Sequence, residues 1–169
     1  MKNHFELFGL TPAYALDLEH LDRVYRDIQA RVHPDRFVNS GDAERRASMQ
    51  MTTQVNEAYR MLKNPVQRAN NLLELNGVDA GFETNTAMPR EFLMQQMELR
   101  ERLEEAKSSS DLDLLCRDLV VERRAIENQI REKFDAEHDF GASRDLVRKL
   151  MFLEKFGEEI DAAYEALDG

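Results

Sequence analysis

Apolar residues recur at three- and four-residue intervals along most of the chain, a period that predicts amphipathic helices and an all-α fold. Phe5, Leu7, Phe8 and Leu10 suit a short helix over His4 to Leu10, closed by Gly9 and followed by a turn at Thr11-Pro12. Asp17 is a plausible N-cap for the next helix, in which Leu18, Leu21, Tyr25, Ile28 and Val32 form one buried stripe widened by Val24. Pro34 fixes its own φ and disfavours helical geometry at His33, so that helix ends at Val32. A second long pattern runs from Asp42 to Lys63, with Ala47, Met51, Val55, Ala58, Tyr59 and Leu62 on its apolar face, and pairs with the first as an antiparallel hairpin across the loop Arg36 to Gly41. Asn64-Pro65 interrupts it, and Pro65 then opens a shorter helix that Asn76-Gly77 stops after Leu75. Residues 1–76 thus read as a small four-helix domain.

Helical periodicity is lost over residues 77–88, where Gly77, Gly81, Thr84, Asn85 and Thr86 mark a connector. Three further patterns, Pro89 to Lys107, Asp111 to Glu137 and Ser143 to Leu167, are separated only by Ser108-Ser109-Ser110 and the region of Gly141. Such short connections between long helices predict an antiparallel three-helix bundle over residues 89–169.

Composition narrows the function classes. The 169 residues are 42% hydrophobic, enough for a real core. Net charge is −10, which repels nucleic-acid phosphates and anionic lipid. The charge is uneven: residues 1–87 hold 12 acidic and 10 basic residues, residues 88–169 hold 21 and 13, so the halves are expected to meet different partners. Lys2, Asn3, His4 and Glu6 interrupt the first ten residues, and no apolar run reaches membrane-spanning length. A cytoplasmic, monomeric protein is expected, with neither nucleic acid nor membrane as partner. The single cysteine, Cys116, excludes an intramolecular disulfide and a cysteine-pair metal site, so no metal or cofactor is expected.

Candidate chemistry lies in two places. His33-Pro34-Asp35 presents an imidazole and a carboxylate at a helix end, and on the preceding helix Arg23, Arg26 and Ala30 project together opposite the apolar stripe, with Glu19 and Asp27 beside them and Arg31 toward the other edge. On an isolated helix such a face reads as a solvated surface. In the second half, Phe92, Gln96, Leu99, Leu103 and Ala106 stack into one inward stripe, whereas Leu93, Met94 and Met97 project broadly opposite and grade into Glu98, Glu101, Glu104 and Glu105. Leu146, Leu150, Leu153, Ile160, Tyr164 and Leu167 form the stripe of the last helix, with Phe152 well outside it. The extra apolar positions fit either a widened core or a docking face. An enzyme is not expected: His4, His20 and His138 lack ligand spacing, no phosphate-binding glycine loop is present, and Cys116 falls on the apolar stripe of Leu112, Leu115, Leu119, Ile126 and Ile130.

The first half resembles a J domain in its short first helix, antiparallel pair, His-Pro-Asp loop and short following helix, with Tyr25 and Arg26 where J domains carry an aromatic core residue and a basic contact. Through Phe37, Phe8-Gly9-Leu10, Asn56-Glu57-Ala58-Tyr59, Phe92-Leu93-Met94, Glu98-Leu99-Arg100-Glu101 and Val147-Arg148-Lys149-Leu150, the whole chain is similar to the HscB family of iron-sulfur cluster assembly co-chaperones. That resemblance implies that His33, Pro34 and Asp35, assisted by Arg23, Arg26 and Arg31, stimulate ATP hydrolysis on a DnaK-class chaperone of the HscA type. It further implies that Leu93, Met94, Met97, Glu98, Glu101, Glu105 and Phe152 hold the cluster scaffold protein, IscU. Asp27 stands where J domains often carry a basic residue, Val32 where an aromatic commonly precedes the motif, and Arg102 where an acidic residue is expected. The competing readings are a J-domain co-chaperone with another client and a structural helical adaptor that leaves ATPase activity unchanged.

Overall fold

The structure is a computed structural model that describes residues 2–80 and 88–168. The connector stretch 81–87, with Gly81, Thr84, Asn85 and Thr86, lies outside the described residues. The chain divides into two compact units, Met1–Leu72 and Leu73–Gly169, the division falling within the last helix of the expected first domain.

In the first unit α1 (His4–Leu7), α2 (Leu18–Val32) and α3 (Asp42–Lys63) are followed by α4 (Pro65–Leu75). Capping explains the boundaries. Asn3 and Glu6 form a reciprocal capping box around α1. The chain then turns through Gly9 at φ +67°, with Leu10 N–H bonded to the Phe5 carbonyl and Gly9 N–H to that of Glu6, so α1 stops at Leu7, short of the expected Leu10. Asp17 caps α2 by accepting from His20 N–H, and Asn64 caps α4 by accepting from Val66 and Gln67 N–H. Gly77, at φ +73°, closes α4 with the same paired pattern: Val78 N–H to the Leu73 carbonyl and Gly77 N–H to that of Glu74.

α3 packs against both α1 and α2 and contributes Val55, Ala58 and Leu62 to a core shared with Phe5 and Leu21. Three expectations shift here. Leu18, Ala47 and Met51 are exposed, and the buried position on the first half of α3 is Ser48. Buried Arg68 donates to the Tyr14 carbonyl (2.9 Å) and to the Leu62 carbonyl (2.7 Å) with its guanidinium over the Tyr14 ring, so a cation occupies space a hydrophobic count leaves empty.

The second unit carries α5 (Arg90–Glu105), α6 (Ser109–Ile130) and α7 (Phe140–Asp168). α6 and α7 form the principal pair and α5 packs on both, as a three-helix bundle requires. Leu112, Leu115, Leu119, Ile126 and Ile130 of α6 meet Leu146, Val147, Leu150, Leu153, Phe156 and Ile160 of α7 in one core. Val147 and Phe156 complete a stripe that the expected pattern left thin, whereas Leu167 is exposed and Tyr164 half-buried. α6 does not continue to Glu137. It opens at Arg131 into one wide π turn through Ala136, which keeps Phe134 buried, and the corner closes at His138 with φ +54°. Asp139 then accepts from Ala142 N–H (3.1 Å), so α7 begins at Phe140, three residues before the expected start.

Candidate functional site

Pro34 removes one amide donor at the end of α2, and the structure shows where each affected backbone group finds a partner. A 3-10 turn, Pro34–Phe37, follows directly. Asp35 N–H donates to His33 Nδ1 (3.2 Å), and Arg36 N–H to the His33 carbonyl (3.1 Å). The Ala30 carbonyl, which a helical residue 34 would have bonded, accepts from the Arg36 guanidinium (3.4 Å). The Val32 carbonyl accepts from Ser48 Oγ (2.5 Å), with Thr52 Oγ1 at 3.3 Å. His33-Pro34-Asp35 therefore sits on a turn held from both sides, rather than in an irregular loop.

The side chains at this turn remain available. His33 is half exposed and Asp35 largely so, and the imidazole Nδ1 lies 3.6 Å from Asp35 Oδ2. Because Nδ1 accepts the Asp35 amide, the neutral ring carries its proton on Nε2, leaving an N–H donor on one side of Pro34 and a carboxylate acceptor on the other. Arg23, Arg26 and Arg31 are all exposed on α2. Arg31 Nε donates to the Asp27 carbonyl, while Arg23 and Arg26 enter no salt bridge among the described residues.

α2 is fixed against α3 by a polar and aromatic clamp. Tyr25 and Tyr59 stack with ring centroids 3.9 Å apart, and Tyr25 OH donates to Asn56 Oδ1 (2.6 Å). Tyr59 OH (2.5 Å) and Lys63 Nζ (2.9 Å) both donate to Asp22 Oδ1. Donation from Tyr59 and then Lys63 holds the Asp22 carboxyl below its ordinary value, and the Lys63 ammonium is pushed up by Tyr59 and then Asp22.

The second candidate surface lies on α5 and α7. Phe92 and Leu99 are buried inward, while Leu93, Met94 and Met97 are 44%, 53% and 62% exposed, too open to belong to the core. Glu98, Glu101 and Glu105 are exposed along the same helix. Phe152 of α7 is half-buried, with its ring edge-on to Phe92 at 5.6 Å and stacked with Phe156 at 6.2 Å. Arg100, which the sequence placed in a family-like stretch but not on this surface, lies over the Phe152 ring and reaches Glu159 Oε2 at 3.2 Å. Arg102 is drawn to Asp118 of α6 (2.7 Å) and lines a groove with Glu98, Leu99 and Glu122, so its charge is partly met within the bundle.

Elsewhere, half-buried Cys116 lies 3.9 Å from Tyr164 OH, which donates to the Asp113 carboxylate. That bond pushes the phenol up, because ionisation would set two anions together. Among the described residues no three His, Cys, Asp or Glu side chains converge as a metal site, and no helix is long and apolar enough to cross a membrane.

Of the residues that hold the His-Pro-Asp turn, Arg36 had a legible signal, a basic residue just past a helix C-terminus. Ser48 and Thr52 had none, since only the α2–α3 packing brings them to Val32.

Residues 88–161 match the family model described as the HSCB C-terminal oligomerisation domain. A co-chaperone protein HscB homolog from Burkholderia thailandensis is 49% identical over 98% of this chain and 96% of its own length. One from Aromatoleum aromaticum is 46% identical over 99% and 96%. Chaperone HscB from Vibrio cholerae superposes with a TM-score of 0.86 at 34% identity, covering 98% of this chain and 99% of that one. The human co-chaperone protein HscB gives a TM-score of 0.91 at 26% identity over 96% and 82%. With near full-length identity at this level and the same all-helical fold, the chain belongs to the HscB family of J-domain co-chaperones.

Proposed function

We propose that the protein is a two-site adaptor: it stimulates ATP hydrolysis by a DnaK-class chaperone of the HscA type and delivers an IscU-type scaffold protein to it during iron-sulfur protein maturation. The observation that carries this reading is the pairing, in one HscB-family chain, of a hydrogen-bonded, solvent-facing His33-Pro34-Asp35 turn with a separate exposed apolar face at Leu93, Met94 and Met97. Hydrolysis takes place on the partner. The turn supplies a donor and a carboxylate in fixed relation, suited to a charge-assisted bond to a partner cation, and Arg23, Arg26 and Arg31 supply a basic flank for an acidic surface. Such contacts promote hydrolysis only if they favour one conformation of the chaperone over another. The second face, apolar at its centre and glutamate-rich along Glu98, Glu101 and Glu105, with Phe152 at its edge, suits a specific and reversible protein contact. The reading requires neither a resident metal nor a cofactor, and assigns the protein no turnover of its own.

Steady-state ATPase of the cognate chaperone tests the proposal, with this protein and the scaffold added separately and together. Stimulation by this protein alone and a more than additive rate with both is expected. An ATPase rate indifferent to the protein identifies a structural adaptor instead, and stimulation without synergy identifies a J-domain co-chaperone with another client.

A further inference from the structure

We infer that Ser48 of α3 is a positioning residue for the His33-Pro34-Asp35 turn, setting the shape in which the tripeptide is offered to the chaperone. The inference rests on the reading of that turn as the chaperone contact. In a continuous α-helix the Val32 carbonyl would accept from the amide of residue 36. Arg36 N–H is instead committed to the His33 carbonyl at 3.1 Å, which tightens the chain into the 3-10 turn and takes that helical donor away from the Val32 oxygen. Ser48 Oγ supplies the donor at 2.5 Å across the hairpin. Thr52 Oγ1 lies 3.3 Å from the same oxygen but 2.9 Å from the Ser48 carbonyl, and its one proton serves the nearer acceptor, so the bond to Val32 falls chiefly to Ser48.

Two further observations mark the contact as a built one. Ser48 is only 5% exposed and occupies a position on α3 where the helical period calls for an apolar side chain. A buried hydroxyl there is useful only if it is bonded, and Val32 is its partner. The bond also lands on the residue immediately before His33, the last point at which α3 can set the direction of the chain before the motif. Without it, the part-buried carbonyl keeps only the Thr52 hydroxyl at 3.3 Å, whose proton already serves the Ser48 carbonyl, or is satisfied by rotating the Val32–His33 peptide toward water or toward the Arg36 amide. Either rotation moves the imidazole and loosens the Asp35 N–H to Nδ1 contact.

Ser48→Ala is therefore expected to raise the concentration for half-maximal ATPase stimulation about five- to tenfold while leaving the saturating rate unchanged. This is the signature of a competent turn that is populated less often. Amide exchange at Asp35 and Arg36, measured without any chaperone, quickens by a similar factor, while amides of Val55 to Leu62 keep their protection. Ser48→Thr, which keeps the hydroxyl, restores both readouts. Ser48→Cys keeps the volume with a poorer donor and shifts both in the same direction by less, so it decides the matter if the alanine variant does not fold. Wild-type exchange at Asp35 and Arg36 in the alanine or cysteine variant overturns the inference. If the wild-type protein fails to stimulate, the proposed function falls, while the exchange data still decide whether Ser48 sets the turn.

Discussion

His33 binds the backbone of its own turn through Nδ1 and offers Nε2 outward, so its two nitrogens do different work. Glutamine keeps a polar group but cannot hold both positions at once. His33→Gln is expected to return the chaperone ATPase to its unstimulated rate while leaving scaffold affinity by calorimetry unchanged; retained stimulation removes the turn from the mechanism. Asp22 gives a second test. Its carboxyl sits below the ordinary value of 3.8 because Tyr59 and Lys63 donate to it, so its contribution to folding is full above that value and disappears as pH falls through the depressed folded value. Lys63, raised above 10.5, contributes below that value and loses its contribution as pH rises past the elevated one. Denaturant titrations should find Asp22→Asn less stable than wild type near neutral pH, with the gap closing in strong acid; a pH-independent gap would place the effect in packing. The sequence displayed the tripeptide but not what holds it. Ser48 and Thr52 are polar residues in a helix otherwise scanned for apolar spacing, and their acceptor is sixteen and twenty residues away.

Helix boundaries were most legible where a local signal and tertiary packing agree. Asp17, Pro65 and Gly77 act where the sequence placed them, because a cap, a proline or a left-handed glycine acts within one turn of itself. The corner between α6 and α7 was not legible. A π turn has no local sequence signal, and a positive φ is uncommon even for a histidine such as His138; together they keep Phe134 buried while the chain reverses. Of the inward stripe expected on α5, Phe92 and Leu99 are buried while Gln96, Leu103 and Ala106 are half-buried, and Leu93, Met94 and Met97 are exposed as the period put them. A 16-residue helix that buries Phe92 and Leu99 while exposing Leu93, Met94 and Met97 has spent apolar residues on both sides, and the outer ones contribute little to folding. Replacing Leu93, Met97 and Phe152 with alanine should weaken scaffold binding about 100-fold or more, since centrally buried anchors each contribute roughly 1–2 kcal/mol. The variant is expected to stimulate the chaperone as wild type does. Unchanged affinity by calorimetry would move the scaffold site elsewhere.

For the molecule as a whole, the two surfaces lie in different compact units and draw on different charge: a nearly balanced first half and a strongly acidic second. On the proposed reading, such a protein can be disabled at one site and remain occupied at the other. Excess His33→Gln protein is therefore expected to suppress the scaffold-dependent part of the stimulation by wild type, by sequestering scaffold, and to leave the scaffold-independent part intact. Loss of both parts together would mean that the sites are not separable. Phe152 imposes a different kind of limit. Its ring is exposed enough to meet a partner, yet it stands edge-on to Phe92 and parallel to Phe156, both of them core residues, with Arg100 laid across it. Any replacement must first fit those three neighbours, so the substitutions open to this position over evolutionary drift are narrowed to flat rings of similar volume. Leu93 and Met97, 44% and 62% exposed and outside that ring cluster, are freer to follow whatever surface they meet.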